Sequence, residues 1–500
     1  MLLLQNIFQK FAHFVWPIER KELSFFAPMA LIMTCALYNF ASLRAIKDSL
    51  IVSNIGAESI SFLKLWLVLP SAIVFTLLYL NLSNNFRMDR VFYIITGGFL
   101  IFFSFFCFFL LPGKAYFHPN PETIENLATL YPNFKWFFKI AGHWTFAIMY
   151  IFSELWSVVI INLMFWQFAN HVVDEKKAQR FYPLFGLVGN FGLIIAGNAM
   201  IYFASVKHVP SFFFFDSVDE DAIVPDVGLR LSIISVIFSG MVMMLLMLFL
   251  NKTVIKKTAD FKKNVTSTKT KLSLRESISL IISSRYVGYI TAIIICYGLA
   301  INVLEGPWKA KIKELYPSQE EYMAFMGHFN IWMGISCVAF MLIGSNILRI
   351  FSWRFSALFT PLVIGVTGVM FFAFVIIARF WGVGEIYWIN PLAAAVIVGA
   401  VQNILSKSTK YSLFDSTKEM AYIPLSVELK TKGKAAAEVV GAKFGKSLGA
   451  IIQSSMFTFL PNSDFSDLTP ILLSIFLVVI IFWIFNVLLL STSYEKISNK

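Results

Sequence analysis

The chain has 500 residues, of which 58% are hydrophobic and only 14% are charged. A soluble globular domain has about a quarter of its residues charged, so this composition excludes an ordinary soluble protein and predicts one embedded in a membrane. The formal net charge of +12 would suggest nucleic-acid binding in a soluble protein. Here the basic residues cluster between apolar segments, as they do in cytoplasmic loops of membrane proteins, so no nucleic-acid partner is expected.

Twelve apolar segments follow an amphipathic N-terminus at 1–24, which we predict to lie on the cytoplasmic membrane surface. Between the sixth and the seventh lies 251–274, with seven lysines against one aspartate and no apolar period, which indicates a solvated linker. The six segments before it are 25–43, 60–82, 91–111, 140–168, 181–204 and 229–250. The six after it are 286–304, 322–348, 355–377, 386–405, 435–460 and 468–490.

Two halves of similar length joined by a basic linker are typical of major-facilitator-like transporters, which bind substrate between two repeated bundles. We therefore predict an all-α polytopic membrane protein of about twelve transmembrane helices, with six-helix halves at 25–250 and 275–500. If both termini are cytoplasmic, the inner loops contain 21 lysines and arginines and the outer loops 11. This bias predicts that both termini and the linker are cytoplasmic.

Of the charged residues inside predicted spans, three require an explanation, because charge there is costly and usually functional. Lys446 is more than ten residues from either end of 435–460, too far to reach the interface, so it either faces a water-filled path or pairs with a carboxylate on another helix. Glu154 lies among apolar residues and is either a protonated, hydrogen-bonded carboxyl or one held near a cation. Lys64, one turn into the second span, either reaches the interface or faces inward.

The first and seventh segments end in similar ways, each passing from a tyrosine through small residues into a charge cluster. The two sequences are YNFASLRAIKDSL at 38–50 and YGLAINVLEGPWKAKI at 297–312. If the halves are repeats, Arg44 and Lys47 face Glu305 and Lys309 across the internal axis. We place Glu305 at the end of the seventh span.

A cavity between the halves with these charges suits a polyanionic substrate, because one charge pair at ~4 Å gives about 4 kcal/mol at an effective dielectric constant near 20. The candidate lining residues are Arg44, Lys47, Lys64, Glu154, Glu305, Asn403, Lys443 and Lys446. The segment GAKFGKS at 441–447 is not a P-loop, because it has three residues between its glycines instead of four and does not follow a strand. The six histidines and four cysteines have no metal-ligand spacing, so no metal, cofactor or disulfide is predicted.

Four long motifs resemble the nucleotide transporter family, the ATP/ADP translocases of plastids and obligate intracellular bacteria, and the likeness extends from about residue 25 to 483. They are ELWSVVIINLMFWQFAN at 154–170, RFYPLFGLVGN at 180–190, KYSLFDSTKEMAYIPL at 410–425 and KGKAAAEVVGAKFGKS at 432–447. The resemblance implies a carrier, not an enzyme, that imports host ATP in exchange for ADP and phosphate across a bacterial inner membrane. The family's four important charged positions correspond to Lys64, Glu154, Glu305 and Lys446.

Two alternatives remain open at this point. The chain has Ser157, Pro307 and Leu448 where the family often has other residues, and some members carry GTP, CTP or UTP, by exchange or by proton-coupled net import. The second alternative is a membrane-embedded enzyme that uses His143 and Glu154, which are eleven residues apart and could line one helix face. For His143, a packed or capping role is the preferred interpretation. The expected partners are a nucleotide, phosphate and the lipid bilayer, without an obligatory protein partner.

Overall fold

The computed structural model describes residues 18–206, 226–252, 283–381, 390–426 and 433–498, together with 279, 281 and 429. All regular elements in this part of the chain are helical. The long helices are α1 (Leu23–Asn54), α2 (Ser59–Asn85), α3 (Met88–Leu110), α4 (Trp144–Asn170), α5 (Glu175–Ser205), α6 (Val227–Leu250), α7 (Arg285–Leu315), α8 (Gln319–Ile350), α9 (Trp353–Trp381), α10 (Pro391–Tyr422), α11 (Lys434–Phe459) and α12 (Phe465–Ser498). The segment before residue 18 and most of the predicted linker, residues 253–274, lie outside the described residues.

Eleven of these helices are long and apolar enough to cross a membrane. The remaining one, α11, is just as long but less apolar, because it contains four charged residues: Lys434, Glu438, Lys443 and Lys446. The prediction of an all-α polytopic membrane protein is confirmed.

Three helices continue well past the apolar segments that predicted them. The first was expected to end at residue 43 and ends at Asn54, the seventh was expected to end at 304 and ends at Leu315, and the tenth extends from Pro391 to Tyr422 instead of 386–405. Inside a membrane protein the helical backbone satisfies its own hydrogen bonds, and charged side chains are tolerated where they pair within the bundle. The placement of Glu305 at a helix end was therefore wrong, since it lies well inside α7.

The charge count that predicted the orientation needs the same correction. Several residues assigned to loops lie in helices: Arg44 and Lys47 in α1, Lys309, Lys311 and Lys313 in α7, and Lys407, Lys410 and Lys418 in α10. Five of these eight were counted among the 11 outer charges. Removing all eight makes the excess on the linker side larger.

The fourth span begins later than expected, at Trp144 rather than residue 140, because His143 has a non-helical backbone (φ −122°, ψ 41°). The Nδ1 atom of His143 lies 3.0 Å from the carbonyl oxygen of Lys139, and its ring packs edge-on against His118. Burial, with His143 and Lys114 nearby, lowers the pKa of His118 to about 4. His143 is therefore a packed histidine outside α4, as preferred, and does not line a face of that helix with Glu154.

Helices from the two sides of the linker meet where α5 packs against α8. A Cβ atom added to Gly327 of α8 would lie 2.8 Å from the carbonyl oxygen of Gly197 in α5, and a Cβ on Gly197 would clash with the carbonyl of Gly327. Small residues let membrane helices approach to backbone contact. The two glycines thus set the spacing between α5 and α8.

Replacing Gly327 by leucine is expected to force α5 and α8 apart and destabilise the protein by about 1–3 kcal/mol or more, as overpacked cores do. Thermal unfolding of the purified protein in detergent measures the effect. Gly98→Leu in α3 is the control, because nothing lies within 4 Å of a Cβ added there. Equal melting temperatures for the two variants would contradict the close-approach interpretation.

Candidate functional site

The two ends of the bundle are distinguished by the linker. We call the end where α6 finishes at Leu250 and α7 begins at Arg285 the linker end. The opposite end, where α1 finishes at Asn54 and α7 at Leu315, is the far end.

Glu305 of α7 is the centre of an ion-pair network between the two sets of helices. Its carboxylate lies 3.3 Å from Arg44 of α1, 3.0 Å from Lys64 of α2 and 3.2 Å from Lys309 one turn further along α7. The Lys64 ammonium also donates a hydrogen bond of 3.2 Å to Asn302. Lys64 therefore faces inward and is not held at the membrane interface.

A second centre lies towards the far end, at Asp48 of α1. Its carboxylate accepts from Lys47 at 2.9 Å and pairs with Lys309 at 2.9 Å. Lys47 is also 2.9 Å from Glu154 of α4, and its ammonium lies 4.1 Å from the centre of the Tyr150 ring. Glu154 is thus held near a cation, one of the two arrangements expected for a carboxylate at that depth.

The exposure of these side chains falls towards the far end. Asp48 and Lys309 have 0% and 1% of their side-chain surface accessible, whereas Lys64 and Glu154 have 24% and 29%. Lys446 on α11 is exposed. The ion-pair network therefore has a sealed part built from α1 and α7 and an accessible part that includes Lys64 and Glu154.

Further contacts join the two sets of helices at the far end. The Asn54 amide donates to Gln319 at 3.4 Å, and the Asn133 amide donates to the carbonyl oxygen of Thr458 at 2.8 Å. These hydrogen bonds, with the ion pairs between α1 and α7, hold the two sets of helices together at the far end.

Lys446 lies halfway along α11, and glycines hold this helix against α7. A Cβ added to Gly445 would lie 2.7 Å from the carbonyl oxygen of Ile295, so no larger residue fits beside Lys446 without moving the helices. Among the residues that the structure describes, no carboxylate lies within ion-pair distance of Lys446. Its strongest electrostatic neighbours are Glu154, Lys64, Lys410 and Glu305.

The remaining candidates lie on α10 and α11. Asn403 is buried and donates a hydrogen bond of 3.0 Å to the carbonyl oxygen of Gly399. Lys443 lies in α11, but its side chain is not among those described. Sequence reasoning missed Lys407, which lies one turn beyond Asn403 and would have been found by extending the tenth helix, because residues four apart share a helix face.

Asp48 was also missed, because only the basic residues of its segment, Arg44 and Lys47, were considered as candidates. No group of three histidine, cysteine or acidic residues in the described part of the chain could hold a metal ion. The site consists of charged side chains that can bind and release an anion.

The described part of the chain has twelve long helices with a charged, partly accessible cluster where the first six meet the last six, which is the arrangement of a major-facilitator-like fold. The fold is similar to a D-xylose–proton symporter, with a TM-score of 0.55 and 12% identity over 94% of this chain and 97% of the symporter. It is also similar to a bacterial homologue of the iron transporter ferroportin in its inward-facing state, with a TM-score of 0.54 and 13% identity over 94% and 100% of the two chains. At this identity the likeness concerns the fold alone.

Sequence similarity gives the family. The chain belongs to the TLC ATP/ADP transporter family, whose model matches residues 4–494. It is 55% identical to ADP,ATP carrier protein 3 of Rickettsia bellii over 99% of this chain and 100% of that protein, and 54% identical to the protein of that name in Rickettsia prowazekii over the same shares. Its identity to ADP,ATP carrier protein 1 of Rickettsia bellii is 43%, over 99% and 98% of the two chains. The family predicted from the motifs is confirmed, and the protein is a carrier rather than an enzyme.

Proposed function

We propose that this chain imports ATP in exchange for ADP, with phosphate, by alternating access of a site between α1–α6 and α7–α12. The observation that carries the choice of substrate is the 55% identity, over the full length of both chains, to a protein named as an ADP,ATP carrier. The charged cluster supports it, because several inward-facing cations suit a polyphosphate that an apolar pocket would reject.

In this proposal Lys64 and Lys446, one from each set of helices, bind the substrate phosphates. Lys64 is paired with Glu305 at 3.0 Å in the conformation described, so an arriving phosphate competes with Glu305 for it. Glu305 retains Arg44 and Lys309, and Glu154 retains Lys47. The carboxylates thus balance charge in the empty site and change partners when it is filled.

The further lining residues of the proposed site are Arg44, Lys47, Asn403 and Lys443. The ion pair between Glu154 and Lys47 at 2.9 Å favours a charge-balancing role for Glu154 over that of a proton carrier.

Exchange follows from the charge of Lys446, which has no ion-pair partner among the residues that the structure describes. Moving an uncompensated ammonium through the closed, dehydrated intermediate of a transport cycle is costly, on the order of the 2.5–3.5 kcal/mol per charge seen on insertion scales or more when desolvation is complete. A bound nucleotide neutralises it and lowers that barrier. The empty carrier therefore returns slowly, and transport requires nucleotide on both sides.

We further propose that the carrier lies in the bacterial inner membrane with both termini cytoplasmic. The excess of lysine and arginine at the linker end supports this orientation. The proposed organisation is a surface segment at 1–24, six-helix halves at 25–250 and 275–500, and a cytoplasmic linker at 251–274. The bilayer is its environment, and no obligatory protein partner is proposed.

Uptake of radiolabelled ATP into intact bacterial cells that express the chain tests this function. We expect saturable uptake that unlabelled ADP competes, label that leaves only when external ATP or ADP is added, and little effect of collapsing the proton gradient. Cells with the empty vector are the control. Competition by GTP, CTP or UTP without ADP would assign another nucleotide, and loss of uptake with the proton gradient would indicate symport.

A further inference from the structure

Helix α10 has three lysines in the half that is nearer the linker end, and they differ in their ion-pair partners. Lys410 lies 2.7 Å from Asp415, and Lys418 lies 3.3 Å from Asp415 and 2.7 Å from Glu438. Lys407 has no carboxylate within ion-pair distance in the part of the chain that the structure describes. It is therefore an uncompensated cation inside a helix that crosses the membrane.

The surroundings of Lys407 do not neutralise it. Its ammonium lies 6.0 Å from the centre of the Phe40 ring of α1, at the outer limit of cation–π attraction. The charged side chains with the largest electrostatic effect on it are two cations, Arg44 and Lys309, and one carboxylate, Glu305. That carboxylate already contacts Arg44 and Lys309, as well as Lys64.

A lysine that only filled space at this position would not need its charge. The side chain is half-buried, so its head is neither sealed in the protein nor free at the membrane surface. A partly buried charge without a partner is destabilising, and a ligand that completes the pairing would offset that cost.

We propose that Lys407 binds the polyphosphate of the transported nucleotide together with Lys446, an inference that rests on the proposed exchange function. Among the described residues these are the two cations near Glu305 that have no ion-pair partner. They lie on α10 and α11, which both pack against α7, the helix that carries Glu305, and Glu305 acts on both lysines. A phosphate chain spanning them would replace the missing carboxylates.

This assignment also connects binding to movement. Arg44 of α1 and Lys407 of α10 belong to the two sets of helices and repel each other. A phosphate group between two like charges converts their repulsion into attraction of both to the ligand. Binding at Lys407 would therefore favour closer approach of α1 and α10, which is the differential interaction a ligand needs to shift a conformational equilibrium.

The test uses the full-length protein purified in detergent, with ATP, ADP and inorganic tripolyphosphate as ligands and thermal unfolding as a second readout. Lys407→Gln is expected to weaken ATP affinity by about tenfold or more, as loss of a charge-assisted hydrogen bond does. Lys407→Arg should retain affinity to within about threefold, because the charge remains. The matched control is Lys177→Gln on α5, an exposed lysine 3.8 Å from Asp174, which should bind like the wild type.

Stability separates a ligand-binding role from a structural one. Without ligand, Lys407→Gln should melt at the same temperature as the wild type or higher, because an uncompensated charge has been removed. The rise in melting temperature on adding ATP, which reflects binding to the folded state, should be smaller than in the wild type. A lower melting temperature without ligand, together with an unchanged ATP-induced rise, would overturn the proposal.

The outcomes for Lys407 and for the transport function are distinct. A Lys407→Gln variant that binds ATP within about twofold of the wild type overturns the role of Lys407 and leaves the exchange function standing. If the wild type binds tripolyphosphate but neither ATP nor ADP, the exchange function fails, while weaker tripolyphosphate binding by Lys407→Gln would still support the phosphate site. A wild type that binds none of the three ligands overturns both.

Discussion

Replacing Lys446 by alanine is expected to reduce ATP/ADP exchange by about a hundredfold, the loss that corresponds to a strong charge-assisted contact with a phosphate. The same variant should insert and fold normally, because Lys446 has no ion-pair partner among the described residues and its removal leaves no carboxylate without a counter-charge. The loss is therefore expected in transport and not in stability.

The measurement is exchange in proteoliposomes, normalised to the amount of reconstituted protein, with thermal unfolding of the same samples. Lys446→Arg is the matched variant and should retain more activity than alanine, since charge is preserved although the geometry changes. An alanine variant with most of the wild-type exchange rate would remove Lys446 from the phosphate site.

Replacing Asp48 by asparagine is expected to reduce both transport and stability, unlike Lys446→Ala, which should reduce transport alone. Asp48 has no accessible side-chain surface and pairs with both Lys47 and Lys309 at 2.9 Å. Breaking a buried ion pair by removing one partner costs about 3–5 kcal/mol. Lys47 and Lys309 would keep only Glu154 and Glu305, and Glu305 is shared with other cations, so the buried cluster would have an excess of positive charge. Since the pair also connects α1 with α7, we expect the far end to open more readily.

A double-variant cycle tests that interpretation. Asp48→Asn combined with Lys309→Met should recover part of the lost melting temperature, because the excess cation is removed with its partner. Asp226→Asn is the control. Asp226 pairs with Lys114 at 2.6 Å at the far end, but Lys114 has 39% of its side chain exposed, and exposed pairs contribute about 0–1 kcal/mol. Equal losses of melting temperature for Asp48→Asn and Asp226→Asn would contradict the stabilising role of the buried Asp48 ion pairs.

The sequence was sufficient for the helical class, because long apolar segments carry a strong signal. It also located Lys64, Glu154 and Lys446 inside helices, whose role in substrate binding stays a prediction. Glu154 and Lys446 were identified only because they lie far from the ends of their apolar segments. Lys64 and Glu305 were weaker cases, and the structure joins them at 3.0 Å.

The helix ends were wrong for a physical reason. Apolar segments were taken to end where charges begin, but the charges at the far ends of α1 and α7 compensate one another across the bundle. Pairing between residues such as Arg44 and Glu305, 261 positions apart, leaves no local trace in composition. The same rule assigned Lys407 to a cytoplasmic loop and left Asp48 unexamined.

The partners of each charge could not be predicted from the sequence either. In the sequence, Lys446 and Lys309 look alike, because each is a lysine in or next to an apolar segment. One is exposed without an ion-pair partner among the described residues, and the other has 1% accessible side-chain surface between two carboxylates. The packing of α1, α7 and α11 determines this difference. It distinguishes Lys446, which we propose binds substrate, from Lys309, which joins α1 and α7 through a buried ion pair.

The most direct test of the account is uptake of labelled ATP into proteoliposomes that contain the purified chain, either empty or loaded with ADP. We predict rapid uptake into loaded vesicles and little into empty ones, because the empty site returns slowly with its cations uncompensated. Equally fast uptake into empty vesicles would show that the empty carrier reorients freely and would contradict the exchange mechanism.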